Sequence, residues 1–289
     1  MRILLTGRNG QVGWELERSL APLGEIIATD RATLDLTDPD AIRRVVREAK
    51  PEVIVNAAAY TAVDRAESEP ELAMKVNGVA PGILAEEAKR IGALMVHYST
   101  DYVFDGTKGS PYTEDDPPNP INVYGRTKLE GERAVAAAGG RWLVLRTSWV
   151  YGLRGRNFLL AILKRAKDGA PLRVVNDQRG APTWCRQIAQ ATIRILADRA
   201  NGAGGLCNLS AGGETTWYGF ARAIVELASR PAEVEAIVTS GYPAAAARPQ
   251  FSVLDCSRLA RDFRITLMHW RDALGDCLEE YSEPGWSKG

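Results

Sequence analysis

The sequence predicts an α/β protein, a doubly wound parallel sheet followed by a smaller C-terminal α/β lobe. Three observations carry this. Over the first 150 residues, short apolar runs alternate with longer segments of helical spacing. The apolar runs, such as Ile3–Leu5 and Val53–Val55, lack the polar alternation of a sheet with one wet face, so both faces are covered. A glycine-rich turn, Gly7-Arg8-Asn9-Gly10-Gln11-Val12-Gly13, joins the first run to the first helical segment, where a Rossmann-like sheet carries its phosphate-binding turn.

The elements follow in order. Residues 2–7 form a strand that stops at glycine, and residues 12–24 form a helix with Val12, Leu16 and Leu20 on one side. Residues 25–30 are the second strand. Residues 38–50 are a helix with Asp38 at its cap, Pro39 in its first turn, and Ile42, Val45 and Val46 on one face. Residues 51–59 are β-branched and small, a third strand. Residues 69–92 have a long helical pattern interrupted by Gly78 and Pro81. The fourth strand spans 93–100, a helix 122–139, and the fifth strand 141–152. Beyond residue 150 the period loosens. Helices are expected over 157–169, 184–200 and 216–230, short strands over 172–175 and 206–210, and a glycine turn at 201–205. An ordered loop with Pro243 and Pro249 is expected over 240–255. The chain thus divides into a dinucleotide-binding domain, 1–150, and a mainly substrate-binding lobe, 151–289, interleaved with the sheet by a returning strand.

Composition excludes several classes. Lys plus Arg equals Asp plus Glu at 36 each, so no basic excess calls for nucleic acid. The apolar runs fall well short of the ~20 residues of a membrane-spanning helix. The N-terminal "MRILLTGRNG" meets its glycines too early for a signal segment, so a cytoplasmic protein is expected. Cys185, Cys207, Cys256 and Cys277 form no CxxC pair and read as isolated thiols. His97 and His269 are too few for a zinc site, and no GxSxG turn supports a serine hydrolase.

The remaining motifs converge on a nicotinamide site. Gly7 allows the tight turn, Gly10 lets backbone approach a pyrophosphate, and Gly13 lets helix and sheet close up; the helix start at Gln11 and Val12 faces the phosphates. Asp30 ends the second strand, where a carboxylate binds the adenosine ribose, although a strand-end carboxylate also serves solvent. Arg8 and Arg31 flank that acid and would suit a 2′-phosphate, so use of both NADH and NADPH is expected. Asp35 and Leu36 are expected at the adenine. Ala59, Tyr60 and Thr61 close the small-residue run after the third strand, where a cofactor crosses the sheet edge. Ser99, Thr100 and Asp101 end the fourth strand. Tyr124 and Lys128, four apart, share one helix face. An ammonium beside a phenol favours phenolate, which makes Tyr124 a proton donor and Lys128 its tuner.

Taken together, "GQVGWELERSLAPLG", "STDYVFDG", "NVYGRTKLEGE", "RTSWVYG" and "NDQRGAPT" resemble the extended short-chain dehydrogenase/reductase family and, within it, the dTDP-4-dehydrorhamnose reductases, over nearly the whole chain. The resemblance implies an NADPH- or NADH-dependent reduction of the 4-keto group of dTDP-4-dehydro-L-rhamnose, supplying dTDP-L-rhamnose for cell-surface polysaccharide. It makes Tyr124 the proton donor, Thr100 a partner of the keto oxygen, and Lys128 a holder of the cofactor ribose. It places Asp101 and Trp149 at the sugar, and Asn157 and Arg248 at the nucleotide end. Without it, Trp149 reads as a core residue and Arg248 equally as a surface cation. Sugar-nucleotide dehydratases carry an Asp-Glu pair after the threonine; here the pair is Asp101-Tyr102, so the elimination base is missing. An epimerase, or a non-catalytic NADP-binding regulatory subunit, remains the alternative. Some relatives are dimers bridged by magnesium through acidic side chains. Glu15 matches one such position, but the helix after "GAPT" opens "WCRQIAQ" where the pattern has an acid. A monomer or homodimer is expected.

Overall fold

The computed structural model describes residues 1–169, 171–198, 204–229 and 232–282. The first half builds β1 (Arg2–Thr6), α1 (Gln11–Ser19), β2 (Glu25–Thr29), α2 (Pro39–Ala49), β3 (Val53–Asn56), α3 (Val63–Ala66), α4 (Pro70–Met74), α5 (Ala80–Ile91), β4 (Leu94–Thr100), α6 (Val123–Ala138) and β5 (Arg141–Thr147). The expected doubly wound parallel sheet is present. Successive residues of each strand feed opposite apolar layers. Ile3, Leu5, Val55, Val96 and Leu145 pack with Leu16 of α1. Leu4, Ile54, Met95 and Val144 pack with Ile42 and Val46 of α2 and Leu84 of α5. This is why the runs show no polar alternation.

Local chemistry sets several boundaries. Asp38 caps α2 by accepting from the Asp40 and Ala41 amides. The interrupted pattern over 69–92 resolves into α4, one π-helical turn (Lys75–Val79) and α5. Pro81 sits in the first turn of α5, where its missing N–H costs little. The third strand stops at Asn56, so the alanine run is loop, not strand.

The strand expected over 141–152 is broken. β5 ends at Thr147, Trp149 takes a left-handed conformation (φ 44°), and the chain leaves the sheet. The second half comprises β6 (Val150–Tyr151), α7 (Phe158–Lys167), β7 (Leu172–Val175), β8 (Arg179–Gly180), β9 (Thr183–Trp184), α8 (Cys185–Ala197), β10 (Gly205–Asn208), β11 (Thr215–Thr216), α9 (Trp217–Leu227), β12 (Val234–Ile237), α10 (Ser257–Phe263) and α11 (Trp270–Ser282). β10 returns to pair in parallel with β5, giving the sheet order β10-β5-β4-β3-β1-β2. α8 joins the main core through Ile188 and Ile195. A second core, including Tyr151, Leu159, Ile162, Phe220, Ile224 and Leu274, unites α7, α9 and α11. The segment 240–255 is loop, apart from one 3₁₀ turn (Thr239–Gly241) that enters it and single bridges at Phe251 and Leu254. The sequence pattern missed β12, α10 and α11. Of the turn expected at 201–205, residues 201–203 lie outside the described residues. Among the described residues no helix is long and apolar enough to cross a membrane.

Candidate active site

Strand order reverses between β1 and β3, and the crevice opens beyond their carboxyl ends. A cavity of about 710 Å³ lies there. Its wall includes Gly7, Gly10, Gln11, Val12, Asp30, Asp35, Leu36, Ala59, Tyr60, Thr61, Tyr124 and Lys128. Gly13 lies behind that wall.

The glycine turn is shaped by close backbone approaches. Gly7 has φ +77°, and a Cβ there would lie 2.7 Å from the Ala58 backbone. A Cβ on Gly13 would lie 2.0 Å from the Gly7 carbonyl oxygen. At Gly10 the one atom within 4 Å, the same carbonyl oxygen, would be 3.3 Å away, a tight contact but far looser than at Gly7 or Gly13. α1 has no side-chain cap, unlike α2, α6 and α7, and its first amides border the cavity. Uncapped helix N–H groups beside a glycine turn fit a cofactor diphosphate.

Asp30 spends Oδ1 on its own turn, accepting from the Ala32 and Thr33 amides at 3.1 Å, and Oδ2 on Asn9 Nδ2 at 3.1 Å. These bonds, led by those from Thr33, lower its pKa. Asp35 likewise accepts from the Thr37 amide and hydroxyl. Of the two arginines weighed for a 2′-phosphate, Arg8 is paired with Glu17, whereas Arg31 is exposed on the cavity wall.

Tyr124 is positioned by its neighbours. Asn122 caps α6 through the Gly125 amide at 2.7 Å, and a Cβ on Gly125 would lie 2.1 Å from the Tyr102 carbonyl oxygen. The first turn of α6 therefore sits directly on the end of β4. Burial pushes the Tyr124 phenol up to about 12; the Thr100 hydroxyl opposes this and the Asp101 charge adds to it. The expected lowering by Lys128 is absent, a correction with a clear cause. The Lys128 ammonium is buried, donates to the Tyr98 carbonyl at 2.5 Å, and lies 3.4 Å from His97 Nε2. Burial lowers its own pKa to about 8. The Thr100 hydroxyl donates to Asp101 Oδ1 at 3.1 Å and accepts from the Tyr102 amide at 3.2 Å. Burial raises the Asp101 carboxyl to about 6. The Ser252 and Ser148 hydroxyls lie near enough to favour its charged form, yet Oδ2 has no partner with hydrogen-bond geometry.

The outlying residues fall differently. Trp149 is buried and stacked on Trp217, ring centroids 3.6 Å apart and planes within 5°, so an aromatic ring already covers one of its faces. Asn157 does not reach a substrate end: its amide nitrogen donates to Gln11 Oε1, the Gly152 carbonyl and the Arg154 carbonyl, and its oxygen caps α7 at Leu160. It ties α7 to the glycine turn. Arg248 is paired with Asp64 through both terminal nitrogens and borders a separate hollow of about 640 Å³ with Asp105, Asp177 and Arg179. Glu15 is held by Arg186, so its expected metal role does not fit.

Ser99, expected at the end of the fourth strand, lies on the cavity wall with a hydroxyl that has no protein partner. Sequence reasoning missed three residues here. Asn9 braces Asp30, and Arg156 brings a cation to the cavity wall. Trp217 covers Trp149. Only Arg156, directly after Gly155, carried a local signal.

The family model described as the RmlD substrate binding domain matches residues 1–283. The dTDP-4-dehydrorhamnose reductase of Burkholderia thailandensis is 51% identical, over 97% of this chain and 99% of its own. That of Salmonella typhimurium is 45% identical, over 97% and 98%. The crystal structure of dTDP-4-dehydrorhamnose reductase from Bacillus anthracis, in complex with NADP, superposes with a TM-score of 0.93 at 33% identity, covering 96% of this chain and 99% of that one.

Proposed function

The chain belongs to the RmlD substrate binding domain family, and from that membership we propose that it reduces the 4-keto group of dTDP-4-dehydro-L-rhamnose to give dTDP-L-rhamnose, with NADPH or NADH. The observation that carries the reading is the shared cavity wall of the glycine turn, Tyr124 and Lys128. The reaction is assigned to the cytoplasm, by a monomer or homodimer.

The nicotinamide cofactor supplies the hydride. The protein's residues handle the proton and the positioning. With its pKa near 12, the Tyr124 phenol is protonated at neutral pH, the state a donor to the developing C4 oxyanion needs. The Thr100 hydroxyl, which favours the phenolate, helps Tyr124 release that proton, and in this reading it turns from Asp101 to hydrogen-bond the same oxygen. Lys128 holds the cofactor ribose with its ammonium. Asp101 accepts a sugar hydroxyl through its unpartnered Oδ2. Trp149 supports the sugar from its stack with Trp217. Arg248 and its hollow are assigned to the nucleotide end.

Incubation with NADPH and enzymatically prepared keto-sugar nucleotide tests this. Rhamnose nucleotide should form, and Tyr124→Phe should abolish turnover while still binding NADPH. A purified chain that binds NADPH but turns over no sugar would instead be a regulatory subunit.

A further inference from the structure

Two carboxylates from distant parts of the chain meet on one guanidinium. Glu15 lies on α1, Arg186 on the first turn of α8, and Glu280 near the end of α11. Arg186 Nε lies 3.3 Å from Glu15 Oε2 and Nη2 lies 3.5 Å from Oε1. Arg186 Nη2 also reaches Glu280 Oε1 at 2.6 Å, and Nη1 reaches Oε2 at 2.5 Å. All four carboxylate oxygens therefore face the same planar cation. The guanidinium carbon also sits 4.9 Å from the centroid of the Trp184 ring, which braces it. The Glu15 side chain is 7% exposed, so its charge needs a partner.

We infer that Arg186 is a built-in cation that occupies the place of a divalent metal at this junction, so that this chain binds α1, α8 and α11 together without magnesium. A magnesium ion demands near-octahedral oxygen ligands at about 2.1 Å. Here three of the four oxygens accept from the Arg186 N–H groups, the fourth, Glu280 Oε2, pairs with the guanidinium by charge at 2.5 Å, and a metal brought between them would meet that cation. Among the described residues no cluster of three or more His, Cys, Asp or Glu side chains stands ready to ligate. The planar guanidinium suits the task, since its fork matches carboxylates and keeps its proton at any working pH.

The test compares thermal unfolding and oligomeric state in EDTA, in millimolar Mg²⁺ and in millimolar Mn²⁺. A site saturated a hundredfold would raise Tm by roughly 5 °C in a chain of this size. The wild-type chain should show no such shift and no chelator-dependent change of oligomer. Arg186→Glu should unfold earlier in EDTA and recover several degrees in Mn²⁺, whereas Arg186→Gln should unfold earlier and not recover. Metal stabilisation of the wild-type chain, or equal metal responses in the two variants, overturns the inference. Should Arg186→Glu not fold, Mn²⁺ paramagnetic resonance on the wild-type chain decides. One bound ion per chain overturns the inference, and only free Mn²⁺ supports it.

Discussion

The Lys128 ammonium donates to the Tyr98 carbonyl oxygen at 2.5 Å, thirty residues back on the strand beneath it. That bond anchors the lysine to β4 and leaves it fully buried beside a neutral histidine. Burial, then the Lys128 charge, hold His97 well below its ordinary value.

Activity and stability should therefore move in opposite directions at alkaline pH. The folded pKa of Lys128 is lowered to about 8, against an ordinary value of 10.5. Between those values the unfolded chain keeps a proton that the folded chain has lost, so this residue's contribution to stability rises with pH. Cofactor affinity should fall over the same window as the ammonium is lost. At pH 7, Lys128→Met should gain up to about 3 kcal/mol of stability and lose NADPH binding. Urea titrations and fluorescence binding across pH 7–10 check both; a lysine-dependent loss of stability above pH 8 contradicts the assignment.

Asp101 shows the acidic counterpart. Its folded pKa, about 6, exceeds the ordinary 3.8. Between these the folded chain holds the extra proton, so stability falls as pH rises through the window. The stability gap in favour of Asp101→Asn should widen from pH 4 to pH 7, by as much as about 3 kcal/mol. Chemical denaturation at the two pH values measures it.

The glycines separate fold from cofactor. Gly13→Ala puts a methyl 2.0 Å from the Gly7 carbonyl oxygen and should cost several degrees of Tm. Gly10→Ala meets the same oxygen at 3.3 Å, which a shift of a few tenths of an ångström relieves, and should cost clearly less Tm than Gly13→Ala. Its methyl would project where a diphosphate approaches, so NADPH affinity should drop at least tenfold, about 1.4 kcal/mol. Calorimetry and cofactor titration on both variants distinguish the roles.

Arg31 should set the balance between the two cofactors. Arg8 is occupied by Glu17, which leaves Arg31 as the arginine of that pair free on the cavity wall. Arg31→Ala should raise the KM for NADPH several-fold and leave that for NADH nearly unchanged. Equal effects on both would remove Arg31 from the 2′-phosphate.

What the sequence determined by itself was local or periodic. The two apolar layers follow from consecutive residues such as Ile3, Leu4 and Leu5, because a strand sends neighbours to opposite faces. Asp38 and Pro39 mark a helix start within three residues. The Gly7, Gly10 and Gly13 spacing marks a turn that side chains would block, and Tyr124 and Lys128 share a helix face by their spacing alone. Tertiary structure decided which way those groups point and what meets them. The carbonyl that takes Lys128 lies on another element, the ring that covers Trp149 is 68 positions away, and Arg186 reaches Glu15 across 171. β10 enters the sheet from the middle of the chain's second half, with α7 of the second core before it and α9 and α11 after it. Periodicity reports the face a residue presents to its own helix or strand. Partners at such separations, and the desolvation that moves the pKa values of Tyr124, Lys128 and Asp101, exist only once the layers have closed.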